Sequence, residues 1–199
     1  MFIGFFIEPD LRTRKLIISY KKLIKKKYGN QIYLNHPPHL TLFTIKLKNK
    51  FLKKDFFKIS KFINNLKKTI IKIKRTNFFY NDPLTKGNTM LFTVKKNSVL
   101  KDNQIKLIKF IKSEFGNLII KDKKFKGLMQ KNYTLYGYPF VGKNWKPHFT
   151  ISSINKKKNL KVIEPHIIKN IDKSFLLKKI SVWHIKKNIH KKIKMINLK

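Results

Sequence analysis

The chain has 199 residues, 42% of them hydrophobic and 13% aromatic, which fits one domain with a sizeable buried core and excludes a disordered basic tail. It has no Cys, so disulfides, thiolate zinc sites and a Cys nucleophile are excluded. The net charge of +39 suggests nucleic acid, yet only Arg12, Arg14 and Arg75 among the 48 basic residues carry the guanidinium that bidentate phosphate contacts favour.

The excess of Lys runs with an excess of Ile, Asn and Phe, all encoded by AT-rich codons, and is read as mainly compositional. Its field still attracts anionic substrates. The N-terminal "MFIGFFI" is interrupted by Glu8 and Pro9 and is too short for a signal peptide with proper flanks. No later segment reaches the roughly 18 apolar residues of a membrane span. A cytoplasmic chain with no membrane partner is expected.

In chain order, Phe2–Pro9 reads as a short buried strand. A helix follows, with Leu16, Tyr20, Leu23 and Ile24 at helical spacing and Gly29 as its stop. His39–Leu47 alternates like a strand. Asp55–Lys68 puts Phe56, Ile59, Ile63 and Leu66 on one helical face, with Asp55 as N-cap. "TIIKIKR" and "TMLFTVK" read as strands around turn signals at Asn81–Pro83 and Gly87. The next helix carries Ile105, Ile108, Ile111 and Phe115 and ends at Gly116. Lys121–Gln130 reads as a basic loop. "YTLYGYPF" and "HFTISSI" read as strands, and the tail as a hairpin of "FLLKKISVWHIK" with "HKKIKMINL". No linker divides the chain, so residues 1–199 form a single α+β domain with antiparallel sheets backed by helices.

One pattern occurs twice. Pro38-His39-Leu40-Thr41-Leu42 returns as Pro147-His148-Phe149-Thr150-Ile151, 109 residues later and about half the chain away. Residues two apart on a strand share a face, so His39 joins Thr41 while Leu40 and Leu42 point to the core. The same holds for His148 and Thr150. If two lobes pair about a pseudo-two-fold axis, two imidazoles and two hydroxyls meet in one cleft. A Pro at a strand's start costs no ladder bond.

Such a cleft suits phosphodiester cleavage. One neutral imidazole takes a proton from the attacking water, and the other, protonated, gives one to the leaving oxygen. The Thr hydroxyls hydrogen-bond the non-bridging phosphate oxygens. A single His-x-Thr is an unremarkable strand feature, but two copies with the same flanks are not. Two His without a nearby carboxylate make a poor metal set.

The paired motifs resemble the two-histidine (2H) phosphoesterase superfamily, which includes the bacterial 2'-5' RNA ligase-like proteins and the RNA 2',3'-cyclic phosphodiesterases. The resemblance implies a bilobal fold of two pseudo-symmetric halves, each with an antiparallel sheet backed by helices, and an active cleft between them. It implies His39, Thr41, His148 and Thr150 as the catalytic tetrad, with no metal and no other cofactor. It implies hydrolysis of a 2',3'-cyclic phosphate on RNA ends or small nucleotides. Cleavage of 2'-5'-linked oligonucleotides, and an RNA-binding module with vestigial catalysis, are the alternatives. No phosphate-binding Gly loop supports ATP-driven ligation. RNA or a small nucleotide is the expected partner of a monomer.

Around the second motif, Tyr138, Phe140 and Trp145 are candidates to stack a base, and Lys146 to meet a phosphate. By strand parity Phe43 and Ser152 should line the cleft beside Thr41 and Thr150. His36 is expected in a loop at the rim. His166, His184 and His190 have no matching motif; Trp183 and His184 on the late strand could approach the cleft, but read first as packed strand residues.

Overall fold

In a computed structural model, residues 1–48, 50–82, 84–116, 125–186 and 189–199 are described. The elements run in the order β1 (Phe2–Ile7), α1 (Leu11–Tyr28), β2 (Leu40–Lys46), α2 (Lys53–Asn64), β3 (Ile70–Phe79), β4 (Asn88–Val94), α3 (Ser98–Phe115), α4 (Leu128–Tyr136), β5 (His148–Ile154), β6 (Lys173–Leu176), β7 (Lys179–Lys186) and β8 (Ile189–Asn197). Eight strands form one sheet in the order β6-β3-β4-β5-β2-β1-β7-β8, with every pairing antiparallel.

The sheet is continuous, and each of its two ends carries one copy of the repeated motif. Each contributes a strand, a helical connection and a motif strand: β1-α1-β2 in one, β4-α3-α4-β5 in the other. The motif strands are neighbours at the centre. They share one paired position, Leu40 with Phe149, and then diverge.

Local sequence explains the elements. Asp10 caps α1 by accepting from the Thr13 amide at 2.9 Å, and Gly29 ends it at φ 72, a left-handed conformation that suits Gly. Asp55 sits inside α2, where its carboxylate accepts from the Leu52 amide at 2.7 Å, so the helix starts earlier than an Asp55 cap would place it.

The expected strand at Tyr133–Phe140 is absent. Those residues begin inside α4, where Asn132, Tyr133 and Tyr136 turn inward at helical spacing until Gly137 stops the helix at φ 65. Of the expected Lys121–Gln130 loop, 121–124 lie outside the described residues and Leu128–Gln130 belong to α4. Pro83 of the expected turn also lies outside them. In the tail, β6 leaves the expected hairpin and pairs with β3, while β7 and β8 form it.

The main core lies between the sheet and its helices. It joins Ile3, Phe5 and Ile7 of β1 to Ile17 and Ile24 of α1, Ile59 and Ile63 of α2, and Leu107, Ile108 and Ile111 of α3. Each such side chain contributes roughly 1.5–3 kcal/mol when fully buried. The opposite face carries a small apolar cluster of Phe6, Trp183 and Ile185. No helix among the described residues is long and apolar enough to cross a membrane.

Candidate active site

The two His-x-Thr pairs lie on the sheet face opposite the helices, where β2 meets β5. Leu40 and Phe149 are fully buried in the main core, whereas His39, Thr41, His148 and Thr150 are half-buried. His39 precedes Leu40 and His148 precedes Phe149, the one position at which β2 and β5 pair.

Both imidazoles are held alike. His39 Nδ1 lies 2.7 Å from the Pro37 carbonyl, and His148 Nδ1 lies 2.7 Å from the Lys146 carbonyl. A carbonyl only accepts, so each Nδ1 carries the proton and donates it. Each Nε2 is left as the reactive nitrogen. Pro38 and Pro147, both buried, come directly before the rings and fix the approach of the chain.

The strands then repeat an irregularity. On β2, Phe6 pairs with Thr41 but Phe5 pairs with Phe43, so Leu42 is an extra residue. On β5, Leu91 pairs with Thr150 but Met90 pairs with Ser152, so Ile151 is extra. A bulge inverts the alternation beyond it. This corrects two expectations. Phe43 is not in the cleft: it is fully buried in the main core and stacks on Phe5, with ring centroids 4.7 Å apart. Ser152 is fully buried, and its hydroxyl donates to the Ile32 carbonyl at 3.0 Å. By the same inversion Thr44 and Ser153 take the cleft face.

The other sequence candidates also have packing or backbone roles. Tyr138 and Phe140 are half-buried against the main core, and Tyr138 meets the edge of Phe43 rather than the cleft. Burial pushes the Tyr138 hydroxyl pKa upward. Trp145 is buried, so its ring cannot stack a base, but its indole N–H donates to the Thr41 carbonyl at 3.0 Å. Lys146 is exposed and contributes its carbonyl to His148.

Several residues at the site came from elsewhere in the chain. Gln104 of α3 is fully buried and donates to the Leu42 carbonyl at 3.0 Å and the Phe140 carbonyl at 2.7 Å, so it holds the β2 bulge from the core side. Phe6 lies against the His39 ring with centroids 4.2 Å apart. Its ring crosses Gly4, where an added Cβ would run into it. His36 and His190 sit 4.3 Å apart by ring centroid, and His190 is 5.4 Å from His39. Trp183 belongs to the same wall. The buried Lys21 ammonium donates to the carbonyls of Tyr33, Leu34 and His36 at 2.5, 3.2 and 2.7 Å, which ties the loop before the motif to α1.

Electrostatics separate the two histidines. Burial pushes His39 down to about 3, and His190, His36 and Lys21 push the same way against the bond to Pro37. Burial, His190 and Lys21 likewise push His36 down to about 4. Burial lowers His148 too, but the Lys146 carbonyl and the Asp82 carboxylate oppose it. Asp82 is fixed in the β3–β4 turn, accepting from Thr89 Oγ1 at 2.6 Å and from the Leu84 amide at 2.9 Å. Among the described residues no group of three or more His, Asp or Glu is arranged to hold a metal ion.

No family model matches the chain, and no curated protein matches its sequence. Solved structures do match its fold. The protein TT0787 of Thermus thermophilus superposes with a TM-score of 0.67 at 13% identity, over 100% of this chain and 98% of that one. A structure described as a phosphoesterase gives 0.59 at 10% identity, over 98% and 97%. E. coli LigT in complex with 3'-AMP also gives 0.59 at 10% identity, over 98% and 97%. The fold expected from the paired motifs is therefore the fold the chain has, from end to end.

Proposed function

We propose that this chain is a 2H phosphoesterase that hydrolyses a 2',3'-cyclic phosphate, on an RNA end or a small nucleotide, by two-histidine acid–base catalysis. The observation that carries the reading is the duplicated constellation: two half-buried His on adjacent strands, each with Nδ1 tied to the carbonyl two residues back, each followed by Thr and a bulge. Fold likeness to E. coli LigT, whose structures include complexes with 3'-AMP and ATP, supports a nucleotide as the substrate class.

In the reaction His39 is the base, because the groups that face it disfavour its protonation. It removes a proton from water as the water oxygen attacks phosphorus. His148 is the acid: burial lowers it too, but the Asp82 carboxylate opposes that shift, and no carboxylate does so at His39. It gives its proton to the ribose oxygen as the phosphorus–oxygen bond of the ring breaks. The product is a phosphomonoester on the other ribose oxygen, and proton exchange with water resets both rings. Thr41 and Thr150 donate to the non-bridging oxygens as charge builds there.

The test is hydrolysis of a 2',3'-cyclic mononucleotide with EDTA present. Wild type should turn over, and His39→Ala and His148→Ala should each lose about 100- to 10,000-fold in kcat, the usual worth of a positioned acid or base. Full activity in either variant would remove the assignment. A 2'-5'-linked dinucleotide run beside it separates the cyclic phosphodiesterase from the 2'-5' phosphodiesterase.

A further inference from the structure

Beyond Ser153 the cleft face of β5 leads into a cavity of about 430 Å³. It lies between the loop after α1, the β3–β4 turn and the turn that follows β5. Lys86, Lys156, Lys157, Lys158, Asn155 and Ser153 line it, and none of its lining residues is acidic. The ion pairs among the described residues, Lys58 with Glu114 and Lys192 with Glu8, lie elsewhere, so among those residues these four lining lysines form no ion pair.

The walls are built rather than loose. The Asn155 amide donates to Gln31 Oε1 at 2.9 Å, and Asn155 Oδ1 accepts from the Lys157 amide at 2.9 Å, which sets the lysine turn. Across the cavity, Ser153 and Thr85 share a hydroxyl hydrogen bond of 2.6 Å. Lys86 is held at φ 60, a conformation rare outside Gly, by its amide's 2.7 Å bond to the Asp82 carbonyl. Asn or Gly would take that position without strain. The mononucleotide chemistry proposed above uses none of these lysines.

We propose that this cavity is a subsite for an RNA backbone phosphate upstream of the reacting end, so the preferred substrate is an oligonucleotide ending in a 2',3'-cyclic phosphate rather than a cyclic mononucleotide. The inference rests on the reading of the His-Thr cleft. Ser153 is three residues along β5 from Thr150, on the order of 10 Å at the rise of a strand. That is too far for the same phosphate and within reach of a neighbouring one on the same chain. Like charges held together repel until a polyanion neutralises them, and a bound phosphate releases its counterions to bulk.

The experiment compares kcat/KM for a cyclic mononucleotide without a 5'-phosphate and for a trinucleotide ending in a 2',3'-cyclic phosphate, at low salt. Wild type should favour the trinucleotide at least about tenfold, mainly through KM, and lose that advantage as salt rises. The exposed triple variant K156E/K157E/K158E should bring the ratio to near one while leaving mononucleotide turnover intact. The control K54E/K106E/K109E makes the same charge change on the helical face and should keep the ratio. If the triple reversal also lowers mononucleotide turnover, K156Q/K157Q/K158Q must still lower the ratio. A wild-type ratio near one, or an equal collapse in the helical control, overturns the subsite. Absence of turnover on both substrates instead overturns the catalytic reading beneath it.

Discussion

The β2 and β5 halves of the cleft share one backbone design and differ in what surrounds it. Both present Pro-His-x-Thr followed by a bulge, and both tie Nδ1 to a carbonyl at 2.7 Å. Around His39 stand Phe6, Trp183, His36, His190 and, through the loop it staples, Lys21. Around His148 stand the edge of Phe79 and the carboxylate of Asp82. Duplicated geometry supplies two equivalent imidazoles; burial lowers the pKa of both, and only at His148 does a carboxylate oppose that shift. Acid–base work needs both properties, since identical rings in identical surroundings would not divide into donor and acceptor.

Outside the His and Thr side chains themselves, the largest effect expected from perturbing one half alone comes from Trp145. Trp145→Phe keeps a buried ring and removes the bond to the Thr41 carbonyl. A net hydrogen bond is worth about 1 kcal/mol, so kcat should fall about five- to tenfold with KM little changed. A rise in KM with kcat preserved would mean that Trp145 serves binding and not the aim of Thr41.

The pH profile of kcat/KM sharpens the comparison further. The acidic limb reports the base, which must be neutral, and the alkaline limb reports the acid, which must be protonated. His190→Ala removes a group that disfavours protonation of His39, so the His39 pKa rises and the acidic limb moves to higher pH. Asp82→Asn removes the carboxylate that favours the His148 imidazolium, so that pKa falls and the alkaline limb moves to lower pH. Each variant narrows the bell from its own side. Movement of the opposite limb in each would reverse the two roles.

The smallest effect is on stability. His36 and His39 have folded pKa values of about 4 and about 3, below the roughly 6.5 of an unfolded His. Between these values the unfolded chain binds more protons, so stability rises with pH. The contribution is complete above about 6.5 and is lost as pH falls toward 4 and then 3. Urea unfolding at pH 7 and pH 5 should show a smaller loss for His36→Asn than for wild type. An equal or larger loss would place the acid sensitivity elsewhere.

The pattern that identifies the cleft was legible because it is local and repeated: Pro, His, one apolar residue, Thr. The strand faces were legible as far as Thr41 and Thr150, where the ladder is regular. Beyond them a period of two gives the wrong face for Phe43 and Ser152, because an inserted residue reverses every later side chain. Leu42–Phe43, two consecutive large apolar residues after an alternating run, is the one local sign of it. Trp145 was marked by its composition as a stacking residue, yet its ring went to the core and its N–H to a backbone oxygen. Gln104, Lys21, Asp82 and His190 reach the site through contacts across long stretches of chain, which no spacing rule encodes. His190 shows this most plainly: its strand partner is Ile185 and its neighbours in the cleft are His36 and His39.

The central claim, that two histidines act as one acid–base unit, is tested most directly by a double-mutant cycle. Cyclic phosphate hydrolysis is measured for wild type, His39→Ala, His148→Ala and the double variant. If the rings work as a unit, the double variant is no slower than the slower single, because either loss already stops the concerted proton transfer. Losses that multiply, or a single variant that retains wild-type turnover, would contradict it.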